Sequence, residues 1–171
     1  MQNTTTKEIV ITGLSIAMVF VATMFINIRL PFGQGGLIHL GNVPLFLVAI
    51  IFGKKIGCIS GAFGMALFDL TLGWTPWAPA TFIIVGLMGY AVGVIAEKKN
   101  DFVGYVLAIV TACVIKIVGY YIAEALIYGN WVQPVLSIPG NLIQIGVAAV
   151  IVLPVAAVLK KALRKEVASV K

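Results

Sequence analysis

The apolar residues of this chain arrive in runs of about 20, separated by short clusters of glycine, proline, lysine and aspartate. A helix of about 20 apolar residues spans a hydrocarbon core of about 30 Å, so the runs themselves define the solvent. The 171 residues are 61% hydrophobic and 11% charged, and six acidic side chains cannot solvate the surface of a globule of this size. A soluble globular domain is excluded. At roughly 25–30 residues per span with its connection, the length admits about six spans and no further domain. The expected fold is all-α: a polytopic membrane protein, residues 1–171 forming one six-helix membrane domain.

The spans are read from the breakers between them. The first runs from about Lys7 to Asn27, and the cluster from Arg29 to Gly36 ends it, with an ordered first outer loop continuing to about Leu40. The second, Asn42 to Phe52, is short for a bilayer and is expected to begin in a depression at the outer face. The third covers Ile56 to Leu72. A turn from Gly73 to Pro79, with two tryptophans and two prolines, forms an interfacial anchor before the fourth span, Ala80 to Ala96. The fifth is Phe102 to Tyr128, and the sixth about Ser137 to Leu159 with a basic tail. The run from Ile9 to Ile28 is too long for a signal-peptide core and lacks a small-residue cleavage pattern, so the N-terminus is expected to be retained.

The net charge of +6 suggests nucleic acid only until the basic residues are placed. Lys7, Lys54, Lys55, Lys98, Lys99, Lys160, Lys161, Arg164, Lys165 and Lys171 fall on one side of a six-span arrangement, ten of the twelve basic residues. That side is cytoplasmic by the positive-inside rule, with both termini on it, and nucleic-acid binding is not needed to explain the charge. Arg29, in the first outer loop, and Lys116, inside a span, are the exceptions. Cys58 and Cys113 lie within apolar runs without metal-ligand spacing and read as packing residues, so neither a metal nor a cofactor is expected.

Polar side chains inside a bilayer cost roughly 2.5–3.5 kcal/mol on insertion scales and are normally retained for use within the bundle. By depth, Asp69 and Glu124 lie about one turn below the outer surface, Tyr120 two turns down and Lys116 near the middle, with Asn141 and Gln144 one to two turns down on the sixth span. Lys116, Tyr120 and Glu124 recur at i, i+4 and i+8, and Asn141 and Gln144 at i and i+3, so each set shares one helix face. His39 and Asn42 open the second span at the same level, and Trp74, Trp77 and Trp131 sit on outer loops. This pattern describes an outward-facing pocket for a small planar solute, with carboxylates and amides on its polar edge and aromatic side chains on its face. The alternative for Lys116 is an ion pair with Glu124 or Asp69 that only locks the helices. For the tryptophans the alternative is interfacial anchoring, and Trp131 has the weakest case for ligand contact.

Gly13 with Ala17, Gly57 with Gly61 and Gly89 with Gly93 are small-xxx-small pairs that permit close helix approach, in the bundle or against another membrane subunit. The chain has no G-x-x-x-x-G-K-[ST], which excludes nucleotide hydrolysis by a P-loop, and no G-x-S-x-G; its single histidine leaves no nucleophile and base pair within the membrane. An enzyme is not expected. Six spans without a repeat also fit poorly with an autonomous ion-coupled transporter.

From Leu30 to Val94 the sequence resembles a known family. The run Pro31 to Gly36, the stretch Ile38-His39-Leu40-Gly41-Asn42, then Phe52 to Gly57, Gly61, Gly64, Ala66, Asp69-Leu70, Gly73-Trp74 and Trp77-Ala78-Pro79 resemble the substrate-binding S components of energy-coupling factor vitamin transporters. The similarity is to the branch of hydroxymethylpyrimidine- and pyridoxine-type carriers, related to the riboflavin carriers. It implies a prokaryotic plasma-membrane protein that binds a vitamin or precursor at its outer face, with the first outer loop as a lid. It also implies partnership with a membrane coupling subunit and two cytoplasmic ATPases, and tipping of the loaded subunit in the bilayer to release ligand inside. The family's Ala-xxx-Ala docking motif is matched by Gly13 and Ala17, a departure at its first position that keeps the residue small. On this resemblance Asp69, Tyr120, Glu124, Asn141 and Gln144 are expected to orient the ligand. Trp74, Trp77, His39 and Asn42 are expected at rim and lid, and Lys116 at the pocket floor or in an ion pair beneath it. The other readings are a riboflavin or other vitamin carrier, a membrane enzyme or scaffold, and an autonomous facilitator.

Overall fold

The computed structural model describes residues 5–25, 27–29 and 37–168; the expected lid stretch 30–36 lies outside the described residues. Six α-helices follow in order: α1 (Thr6–Phe25), α2 (Asn42–Phe52), α3 (Lys54–Thr71), α4 (Ala78–Lys98), α5 (Phe102–Tyr128) and α6 (Ile138–Ala168), the last preceded by a 3-10 turn, Gln133–Ser137. Strands β1 (Asn27–Arg29) and β2 (Leu37–His39) pair antiparallel, with Asn27 opposite His39 and Arg29 opposite Leu37. The fold is therefore helical with one small hairpin, where the sequence led us to expect only an ordered loop.

Among the described residues four segments are long and apolar enough to cross a membrane: α1, α4, α5, and α6 together with its 3-10 turn as far as Ala156. Their outer faces carry large apolar side chains, among them Leu14, Met18, Val114, Val118 and Val150, which is stable only where the surrounding solvent is itself apolar. Helix α2 is different. Its 11 residues reach only about 16 Å, half a hydrocarbon core. Not one of them is exposed, because α1, α3, α4 and α6 all pack around it. Leu45, Phe46, Ala49 and Ile50 on α2 join Val19, Met65, Val85, Met88, Val92, Ala148 and Val152 in the central core.

Local chemistry sets the helix ends. Gly53, at φ 90°, ends α2 and turns the chain directly into α3, a conformation that costs a side-chain-bearing residue strain. Pro79 lies in the first turn of α4, where its missing N–H is not needed. The Asp101 side chain accepts a 2.6 Å hydrogen bond from Gly104 N–H and caps α5, and Gly129 in the left-handed region closes it. Between α3 and α4 the backbones nearly touch: a Cβ on Gly89 would lie 2.2 Å from the Gly57 carbonyl oxygen. These expected small pairs therefore pack the bundle. Gly13 and Ala17 do not: both are exposed on α1, and nothing lies within 4 Å of the Cβ position at Gly13.

The two ends of the bundle differ in chemistry. At one end the starts of α1 and α3 and the end of α4 are tied by Lys55–Glu8 (2.6 Å) and Lys54–Glu97 (3.3 Å) ion pairs. These pairs are exposed, worth about 0–1 kcal/mol each, and mark the hydrated end rather than hold the fold. At the other end β2, the end of α3, the start of α4, the second half of α5 and the start of α6 converge on a cavity.

Candidate functional site

The cavity, counted with the open space at its mouth, takes in about 470 Å³. It is lined by His39 from β2, Phe68 and Asp69 from α3, Trp74 and Trp77 from the α3–α4 turn, and Thr81 from α4. Lys116, Tyr120 and Glu124 from α5 and Asn141 and Gln144 from α6 complete it. Nine of the ten side chains expected to contact ligand thus line one cavity, and the stripes on α5 and α6 face each other across it.

The exception is Asn42. Read along the sequence it belongs at the rim, but α2 is sunk in the bundle and Asn42 is fully buried, donating a long 3.5 Å hydrogen bond from Nδ2 to Gln144 Oε1. It supports the floor instead. Phe68 and Thr81 line the cavity without having been singled out in the sequence. Thr81 is 2% exposed and accepts a 3.1 Å hydrogen bond from the Tyr120 hydroxyl. It obeys the same depth rule as Asp69, one turn below the outer interface, so the signal was present. Trp131 lies elsewhere: it is exposed, stacks obliquely on Tyr121 at 6.2 Å, and its carbonyl accepts from the Tyr121 hydroxyl at 2.7 Å.

Lys116 is 1% exposed. Its ammonium donates a 3.0 Å hydrogen bond to Gln144 Oε1 and lies 5.6 Å from the centre of the Tyr120 ring. Among the described residues neither Asp69 nor Glu124 forms an ion pair with it, so the helix-locking salt bridge considered from the sequence is not present. A buried cation without a carboxylate depends on such dipoles, and an amide oxygen shared by two donors is held in a fixed orientation. Gln144 is consequently held by both α5 and α2.

The acidic groups are less satisfied. Asp69 is 8% exposed and Glu124 3% exposed. Asp69 lies beside Thr81, and Glu124 beside Ser137 and Trp77, yet Asp69 Oδ2 and Glu124 Oε2 are buried without a hydrogen-bond partner. Asn42 Oδ1 is a third such atom. Buried acceptors are nearly always paired in native proteins, so orphaned ones in a cavity mark where something else must donate. Above them Trp74 meets Trp77 edge-on at 5.3 Å, and Trp77 meets Tyr128 at 5.9 Å, forming an aromatic wall. His39, tilted against Phe68 at 6.3 Å, is held well below its usual pKa of 6.5 by burial and by the Lys116 charge. Its neutral ring accepts a 3.3 Å hydrogen bond at Nδ1 from Gly41 N–H. The arrangement can hold a flat, polar ring by its faces and its hydrogen-bond donors.

A thiamine precursor transporter of Lactococcus lactis, HmpT, is 26% identical over 151 residues, covering 88% of this chain and 86% of its own. An uncharacterized protein of Pyrococcus woesei is 32% identical over 111 residues, 65% of this chain and 74% of its own. A UPF0397 protein of Exiguobacterium is 27% identical over 169 residues, covering 90% and 91%. The profile of the ECF-type riboflavin transporter S component family matches residues 3–161, nearly the whole chain, and the protein belongs to that family of membrane transport subunits.

Proposed function

We propose that this chain is the ligand-capturing subunit of an ATP-driven importer, taking up a small aromatic vitamin precursor of the hydroxymethylpyrimidine or pyridoxine type. The observation that carries the proposal is the pairing of two buried, unpartnered carboxylate oxygens with an aromatic wall in one cavity. The ring's amine and hydroxyl groups donate to Asp69 and Glu124, while Trp74, Trp77 and Tyr120 cover its faces. The naming of HmpT as a thiamine precursor transporter supports the substrate class.

In this reading the chain is a six-helix unit of the plasma membrane with both termini and the Lys54–Glu97 and Lys55–Glu8 end in the cytoplasm, and the cavity opens outside. A membrane coupling subunit and two cytoplasmic ATPases supply the work, the coupling subunit docking on the Gly13–Ala17 face of α1. Trp74 and Trp77 provide the test. Titrating the detergent-purified chain with a vitamin and precursor panel should change their emission at one-to-one stoichiometry without nucleotide. If no member of the panel does so while the protein is folded, the ligand assignment fails. Uptake into liposomes by the chain alone would favour a facilitator.

A further inference from the structure

The charges in the cavity do not balance. Asp69 and Glu124 enter from α3 and α5, each more than nine-tenths buried and each with an oxygen lacking any partner. The single ammonium, Lys116, is bonded to Gln144 Oε1 at 3.0 Å and, among the described residues, forms no ion pair with either carboxylate. His39 adds no positive charge, since burial and Lys116 keep its ring neutral. With the carboxylates ionised the lining carries two negative charges and one positive, and the two orphaned atoms accept hydrogen bonds but cannot donate them.

From this geometry we infer that the site selects by charge. It takes a neutral or cationic heterocycle carrying an exocyclic amine or hydroxymethyl donor and rejects the phosphate ester of the same compound, with Asp69 and Glu124 as the specificity-determining residues. The inference rests on the reading of the cavity as a vitamin-precursor site. A donor-bearing ring fills both vacant hydrogen-bonding positions with charge-assisted bonds of about 2.7–2.9 Å. Esterification of the hydroxymethyl group removes a donor, adds about −1.5 to −2 charges at neutral pH and presents only acceptor oxygens or their like to two carboxylates. The orphaned oxygens then stay unpaired, and the repulsion acts on two buried carboxylates, where screening is weaker than in bulk water.

The test compares matched pairs by tryptophan fluorescence on the full chain in detergent at neutral pH: 4-amino-5-hydroxymethyl-2-methylpyrimidine, pyridoxine and thiamine, each against its monophosphate. The unesterified member of any pair that binds should bind at least 100-fold more tightly. Asp69→Asn and Glu124→Gln preserve side-chain shape and, with folding verified by thermal midpoint, should each weaken the alcohol at least tenfold and narrow the alcohol-to-phosphate ratio by a similar factor. A phosphate ester bound within threefold of its alcohol overturns the inference. So do variants that weaken both members equally, since that is what a purely structural role would produce. Binding of thiamine but neither single-ring alcohol would refute the proposed ligand while leaving charge selection to be decided by the thiamine pair. Failure of every pair to bind refutes both.

Discussion

Replacing Gly89 with alanine adds one methyl group where α3 and α4 have no room for it. The new Cβ would lie 2.2 Å from the Gly57 carbonyl oxygen, 2.6 Å from its carbonyl carbon and 3.1 Å from Cys58 N. All three atoms are backbone, so no rotamer change relieves the contact. Ordinary van der Waals separation requires the two helices to part by roughly an ångström at this crossing, and the packing gained by close approach is lost along both. Overpacking of a core costs about 1–3 kcal/mol, and a backbone-on-backbone clash belongs at the upper end. For a chain of this length about 2–3 kcal/mol corresponds to a fall of about 5–10 °C in thermal midpoint, measurable in detergent from tryptophan emission. Gly146→Ala is the control: it lies on the exposed face of α6 with nothing within 4 Å of its Cβ position, and alanine there should be neutral or slightly stabilising. Thermal midpoints for Gly89→Ala and Gly146→Ala that both equal that of the parent would refute the claim that Gly57 and Gly89 set the helix spacing.

Other substitutions separate the roles of the remaining elements. Gly13→Trp, on an open face of α1, should leave ligand affinity in detergent unchanged and reduce assembly or uptake in the intact transporter; lost affinity with assembly intact would reverse that assignment. His39 is neutral in the folded chain because its pKa is lowered, whereas the unfolded chain takes up the proton near pH 6.5. Stability should therefore be level above pH 7 and decline below about 6.5, by at most about 1.4 kcal/mol per pH unit. His39→Gln should flatten that decline, and an unchanged pH profile would place its cause elsewhere. Asp101→Ala removes the 2.6 Å cap on Gly104 N–H and should cost about 0.5–2 kcal/mol, read as a lower thermal midpoint, with Asp101→Asn retaining most of it.

Much of the architecture was legible because apolar runs and breakers leave little choice. Asn42–Phe52 and Phe102–Tyr128 match their expected bounds, the second closed by Asp101 and Gly129 as capping chemistry dictates. Strands Asn27–Arg29 and Leu37–His39 were not legible, since three residues carry no readable alternation and their pairing depends on contacts with α1 and α6. The cavity residues were found through cost: a lysine, an aspartate or a glutamine inside an apolar helix has few tolerable positions, and facing a shared cavity is one. Thr81 escaped because a hydroxyl can satisfy itself on its own helix, as Thr23, Thr71 and Thr111 do here, and only the structure shows it turned to Tyr120. Asn42 was misplaced because counting turns from a loop assumes that every span starts at the surface. Helix α2 starts below it.

That sunken half-length helix also bears on which way a ligand, bound as proposed, would leave. Beneath the cavity Leu45, Phe46, Val48, Ile50 and Ile51 are all at most 4% exposed, and wetting five such side chains to open a passage would cost about 8–15 kcal/mol. A nanomolar ligand binds with about 12 kcal/mol, so piercing the floor demands as much work as undoing the binding itself. On the proposed reading the protein is a cup with a sealed base, and the mouth is the cheap exit for its ligand.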